Sequence, residues 1–322
     1  MRIGVGVKPR FVRQSAPFQR LAIASLFALV LTGCGVSREQ LEAAGTFGQS
    51  AAALATGTKA AYAQAAQDEL TVRTATYVVL SARTDVDDPT PIKNRAYRTP
   101  LVRLGPKDIA GRYAAAAALA AYGEALATLL DSKTQEGDLA TASDKFTTAL
   151  KGIPATTLAE AKITTADIDF VGKVITTAGD LYLDYRRRQV LEQVVPKAAP
   201  IVNKLCSLFA SDFDLEGGVF ATVFTNDIDD VLASTERALS RRGGSLQDRA
   251  ILLPIYQQTT SIRSKSAASF QSLQEAANSC VKSNKTLAKS ISDPTTSLQD
   301  IIDFATKAQK AYAVVNSSIG LK

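Results

Sequence analysis

The stretch Asp212-Phe213-Asp214-Leu215-Glu216-Gly217 sets carboxylates at alternate positions ahead of a glycine, which is how a calcium loop between two helices begins. Calcium is a hard cation that gathers oxygen ligands, and a glycine at the sixth loop position permits the sharp turn. Val219 supplies the aliphatic residue expected at the eighth position. The pattern fails at the twelfth, where a bidentate Glu should close the shell and Val223 stands instead. Asp212, Asp214 and Glu216 are therefore weak calcium candidates. They read more simply as a helix end, a glycine turn and acidic groups that complement the N-terminus of the next helix. No metal and no other cofactor is expected.

Other groupings carry less. Asp227, Asp229 and Asp230 are close enough in sequence to supply a further carboxylate, but neighbouring acids on a helix usually form a solvated face. Arg186-Arg187-Arg188 could fork onto a phosphate or a sugar acid, and more commonly such a triplet is exposed charge around a helix. The chain contains no histidine, which removes the commonest general acid–base and the commonest zinc ligand together. There is no Gly-rich phosphate loop after a strand, no Gly-x-Ser-x-Gly elbow and no Cys-x-x-Cys pair. A non-enzyme is expected. The catalytic alternative is a hydrolase built on carboxylates, which requires two acidic side chains converging in one cleft with perturbed pKa values.

The elements that position these residues read as helices throughout. Alanine is abundant, and apolar residues seldom alternate with polar ones as strands require. Phe47, Ala51, Leu54, Thr58, Ala61, Ala65, Asp68, Val72, Ala75 and Val79 step by four and three, a coiled-coil-like seam with one charged interruption at Asp68. A second seam runs from Ile109 through Tyr113, Ala116, Ala120, Gly123 and Ala127 to Leu130. Small side chains dominate both, so the two helices can approach closely. Between them, the segment 81–107 carries Asp85, Asp87, Asp88, Pro89, Pro91, Pro100 and Pro106. It is expected to be a long loop or an irregular hairpin, with brief extended pairs at Thr76–Val79 and Pro100–Leu104, and is the best candidate contact surface.

Further helices are expected over Leu139–Leu150, from Thr165 or Asp167 towards Pro196 with a kink, through Cys206, from the Gly217-Gly218 turn to Arg241-Arg242, from Ser245 or Gln247 to Ile291, and over Ser297–Ser317. The fold class is all-α, an elongated bundle of long antiparallel helices with one long Pro/Asp-containing loop.

The N-terminus adds a location. Arg2, Lys8, Arg10, Arg13 and Arg20 precede an uncharged apolar run from Leu21 to Leu31, the length of a signal-peptide core rather than a membrane span. The following Leu31-Thr32-Gly33-Cys34 resembles the lipobox of bacterial lipoproteins. That resemblance implies a signal peptide over 1–33 and a mature domain over 34–322 that begins at a lipidated Cys34. Several acyl chains on one cysteine anchor stably where one chain is marginal. By resemblance to lipoprotein sorting, Gly35 rather than Asp after the cysteine implies the outer membrane, facing the periplasm, with the inner membrane as the alternative. Five of the six net positive charges precede Cys34, so the mature chain is nearly neutral and no nucleic-acid partner is expected. Lipidation also leaves Cys206 and Cys280 as an even pair in an oxidising compartment, either bridged or kept as two buried thiols.

The leading functional expectation is a membrane-anchored, non-enzymatic scaffold or adaptor for an unidentified envelope protein. The alternative is a small-molecule or lipid-binding module with a site between helices lined by Tyr62, Tyr113, Tyr122, Tyr182 or Tyr185. An enclosed apolar pocket would favour that module, and tightly filled seams would favour the scaffold.

Overall fold

Helix α1 (Arg38–Ser81) is held at its start by a reciprocal cap. Ser37 Oγ accepts the Gln40 backbone N–H at 3.2 Å, while Gln40 Oε1 accepts the Ser37 N–H at 2.5 Å, so two donors left over by the first turn are satisfied. The Gln40 amide also donates to the backbone carbonyl of Ser290, pinning the start of α1 to the far end of a later helix. Every seam position read from the sequence is buried, from Phe47 and Leu54 to Val79, including Thr58 and Asp68. The helix continues through Thr76–Val79, so the extended pair expected there does not form: Val72, Ala75 and Val79 keep the helical seam buried to its end.

The described residues of this computed structural model are 36–81, 106–130, 136–171, 184–240 and 246–319. Their regular structure is helical throughout. After α1 come α2 (Pro106–Leu130), α3 (Glu136–Lys151), the short α4 (Ala155–Glu160), a helical stretch at 165–171, α5 (Asp184–Asp212), α6 (Val219–Leu239), α7 (Leu246–Ser292) and α8 (Gln299–Ile319). Pro106 sits at the start of α2, where its missing N–H has no intrahelical partner to lose.

Packing directions follow from the contacts. Gly48 of α1 meets Gly123 of α2 so closely that a Cβ on Gly48 would stand 2.6 Å from the Gly123 carbonyl oxygen. Only glycine at both positions permits that crossing. Antiparallel pairing also holds for α5 with α7, through Ala199 to Asn284 and Cys206 to Cys280, and for α7 with α8, through Thr286 to Asp300 and Ser269 to Ser318. α1 and α8 pack side by side in the same direction, since Phe47 meets Phe304 and Gly57 meets Tyr312. The bundle is therefore not antiparallel at every contact.

Two expectations about individual helices are corrected. On α2 the buried line is Arg112, Ala115, Leu119, Tyr122, Leu126 and Leu129, turned about one residue from the seam expected through Tyr113, Ala120 and Ala127. Ala116 and Gly123 are buried in either register. An alanine-rich helix is nearly as apolar on one side as on the other, so composition cannot choose its face. Pro196 and Pro200 both lie inside α5 rather than dividing it. Each removes one N–H from the ladder, and the buried Leu191, Val195, Val202 and Leu205 on either side keep the helix seated.

α7, with 47 residues, is about 70 Å long and touches α1, α5, α6 and α8 along its length. Where it passes α1, α5 and α6, five rings gather. Tyr62 stacks on Phe213 at 5.0 Å and meets Phe220 edge-on at 5.2 Å. Phe270 lies 5.4 Å from Phe213 and 5.7 Å from Phe224.

Candidate functional site

Two polar clusters flank this aromatic core. The first is closed. Asp212, at the C-terminal end of α5, is 3% exposed, as is Arg112 of α2. Arg112 Nε donates to Asp212 Oδ2 at 3.0 Å and Arg112 Nη2 donates to Oδ1 at 3.2 Å, a two-pronged pair. The Tyr62 hydroxyl donates to Asp212 Oδ2 at 2.5 Å, and Glu160, the last residue of α4, lies 2.5 Å from Arg112 Nη2. Burial draws the Arg112 pKa down, but the hydrogen bonds and charge of Asp212 outweigh it and the net shift is upward. Burial first, and the Asp212 charge second, push the Tyr62 phenol well above its ordinary value, so it remains a donor. A buried guanidinium and a buried carboxylate are each costly alone, and here each satisfies the other.

In this arrangement the three acids of the 212–217 segment, the weak calcium candidates, point to different partners. Asp212 faces inward to Arg112 and Tyr62. Asp214 turns to its own chain, where its Oδ1 accepts the Glu216 N–H at 3.1 Å, and Glu216 is exposed. The three carboxylates do not converge, and among the described residues no group of three His, Cys, Asp or Glu side chains could hold a metal ion. Gly218 serves packing: a Cβ there would stand 2.5 Å from the Asp214 carbonyl oxygen. Two carboxylates do meet, Asp212 and Glu160, but on a guanidinium that lies between them.

The second cluster is open. Where α1, α7 and α8 part beside Phe270, they leave a cleft of about 270 Å³. Asp68, the charged interruption of the α1 seam, lines it and is 9% exposed. Its carboxylate accepts the Gln64 amide at 2.8 Å. Burial raises its pKa, against the opposing pull of that hydrogen bond and of the Lys265 charge on α7. Ser269 and Ser318 share a hydrogen bond of 3.0 Å on another wall, and Phe270 and Val315 contribute apolar surface.

The remaining sequence candidates divide clearly. The sulfurs of Cys206 on α5 and Cys280 on α7 lie at bonding distance, 2.15 Å, within two faces that are fully buried. Tyr62 and Tyr122 do not line a ligand pocket: both are core side chains, Tyr122 packed at 5.3 Å from Phe146. Tyr113 is half-buried beneath the Lys59 ammonium, 5.7 Å from its ring centre. Asp229 pairs with Arg263 at 3.0 Å, linking α6 to α7, and Asp230 is exposed. Cys34, the segment 82–105, Tyr182, Arg241-Arg242 and the side chains of Tyr185 and Arg186–Arg188 lie outside the described residues.

Sequence reasoning missed Arg112. The available signal was a lone cation at helical spacing from Ala115, Ala116 and Leu119, since a charge on an apolar face requires an opposite charge from elsewhere. No family model, curated protein or solved structure matches the chain.

Proposed function

We propose that this chain is a lipid-anchored protein of the bacterial envelope whose helical bundle acts as a non-enzymatic scaffold or adaptor. The observation that carries the reading is how near in sequence the tied-down start of α1 lies to Cys34. Val36 is buried, Ser37 and Gln40 cap α1, and Gln40 is tied to Ser290. Two residues reach at most about 7 Å, so a lipid on Cys34 would hold a rigid bundle against the bilayer with no slack to spend. Among the described residues no helix is long and apolar enough to cross a membrane, so the lipid is the anchor of this reading.

The filled interior supports a scaffold over an apolar ligand module. Gly48 and Gly123 bring α1 and α2 into backbone contact, and the tyrosines that could have lined a pocket fill the core. The ionisable groups of the closed cluster are consumed by one another. The partner contact is assigned to the 82–105 segment, whose prolines and acids suit a surface connection.

The test is made in the native host with a fatty-acid probe and in-cell crosslinking. The wild-type chain takes up label and Cys34→Ala takes up none. A chain shortened within 82–105 keeps its label and melting temperature but loses its specific crosslinked partner. Label on Cys34→Ala refutes the anchor, and an unchanged partner on the shortened chain refutes the assigned surface.

A further inference from the structure

The cleft beside Phe270 departs from the logic of the rest of the bundle. Along the α1 seam every other residue described as buried is apolar, small or a hydroxyl, and Asp68 alone brings a carboxylate to that face. Such a group weakens the seam unless it is paired. Asp212 meets this requirement with a guanidinium and a phenol. Asp68 has one amide donor, and Lys265 acts on it only through space, so the carboxylate is partly desolvated and incompletely paired. Local violations of an otherwise consistent pattern are where functional sites are expected.

The walls indicate what would complete it. Asp68 on α1 offers a negative charge, Lys265 on α7 a positive one, the Ser269–Ser318 pair offers hydroxyls, and Phe270 with Val315 gives an apolar floor. At about 270 Å³ the space lies just below the range of roughly 300–1,000 Å³ typical of drug-sized ligands, so the occupant is small. We propose that this cleft binds a small zwitterion of the free amino-acid class, with its ammonium group on Asp68, its carboxylate on Lys265 and its apolar part on Phe270 and Val315. An ammonium donor satisfies the Asp68 oxygens that Gln64 leaves open, and charge-assisted bonds at both ends fix orientation. A neutral polyol would leave both charges unmatched. The site goes beyond the scaffold reading and stands whether or not Cys34 carries lipid.

The full chain, purified in detergent, is titrated by calorimetry with each common L-amino acid, its N-acetyl derivative and its amide. At least one free amino acid is expected to bind with a dissociation constant of about 0.1 mM or tighter. The N-acetyl derivative, lacking the cation, and the amide, lacking the anion, should each bind at least about tenfold more weakly. Asp68→Asn and Lys265→Gln should each weaken the free amino acid by a similar factor with the melting temperature retained. Lys265 is exposed, so its variant keeps the test valid even if Asp68→Asn disturbs the fold. No binding of any free amino acid at about 10 mM would show a solvated crevice and overturn the proposal. Equal binding of either derivative, or affinity unchanged in both variants, would overturn it as well.

Discussion

Asp212 and Asp68 are two carboxylates on buried helix faces, and they meet the cost of burial in opposite ways. Asp212 is enclosed where α1, α2 and α5 meet, with Arg112 along both oxygens and Tyr62 completing the set. The same helix α5 is tied to α7 by the Cys206–Cys280 link. Asp68 sits on the other side of the aromatic cluster, where Phe270 serves both as core and as the floor of a cleft. It keeps one amide donor and a cation acting at a distance. The difference teaches how to read a charge in an apolar pattern. A buried charge with every valence answered fixes the geometry of the fold, whereas one left partly unanswered beside open space is available to a ligand.

The comparison breaks first at Arg112. Arg112→Ala strands the Asp212 carboxylate and is expected to cost about 3–5 kcal/mol in denaturant unfolding. Replacing the set together, with Arg112→Met, Asp212→Leu and Tyr62→Phe, should cost far less than Arg112→Ala alone, because no buried charge is left behind and the Glu160 carboxylate is half-exposed. If Arg112→Ala costs under about 1 kcal/mol, the pair is not what holds this corner.

The second expected effect is at the covalent tie on the same side. The cysteines are 74 residues apart in sequence, and a cross-link closing such a loop stabilises by about 4 kcal/mol through the unfolded chain. Reductant should lower the unfolding midpoint of the wild type but not that of the Cys206→Ala, Cys280→Ala double variant. Free alkylation of both cysteines in the unreduced native protein would remove the bridge.

The smallest effect is at Asp68 and has the opposite sign. A carboxyl whose folded pKa is raised above its ordinary 3.8 binds its proton more tightly in the native state. Stability therefore falls as pH rises from about 3.8 through the folded value, and stays at the lower level above it. Asp68→Asn should flatten that descent and stabilise the protein at neutral pH by about 1 kcal/mol or less. Destabilisation instead would mean that the carboxylate is as well paired as Asp212.

The sequence made the α1 seam readable to its last turn because Phe47, Leu54, Val72 and Val79 contrast with exposed polar neighbours. α2 was readable as a helix but not in its register, since alanines on every side erase that contrast. Leu205, Phe209 and Phe213 around Cys206, and Leu273 and Leu287 around Cys280, show the same contrast and form buried faces. The closed cluster was not legible, because Arg112 and Tyr62 lie 100 and 150 positions from Asp212. Alternating acids near a glycine describe a local shape, and only the fold says which of them turns inward. Asp68 was visible as an interruption, while the cleft beside it depends on where α7 and α8 part.

The most direct test of the claim that Asp212 is locked and Asp68 open is carbodiimide labelling of carboxyl groups in the native chain. Glycinamide serves as the nucleophile, the reaction runs at mildly acidic pH, and peptides are read by mass spectrometry. Asp68 should take up label while the protein is folded, and Asp212 only once denaturant unfolds it, with exposed Glu216 as the reference for free reactivity. Labelling of Asp212 in the native state at the rate of Asp68 would contradict the account.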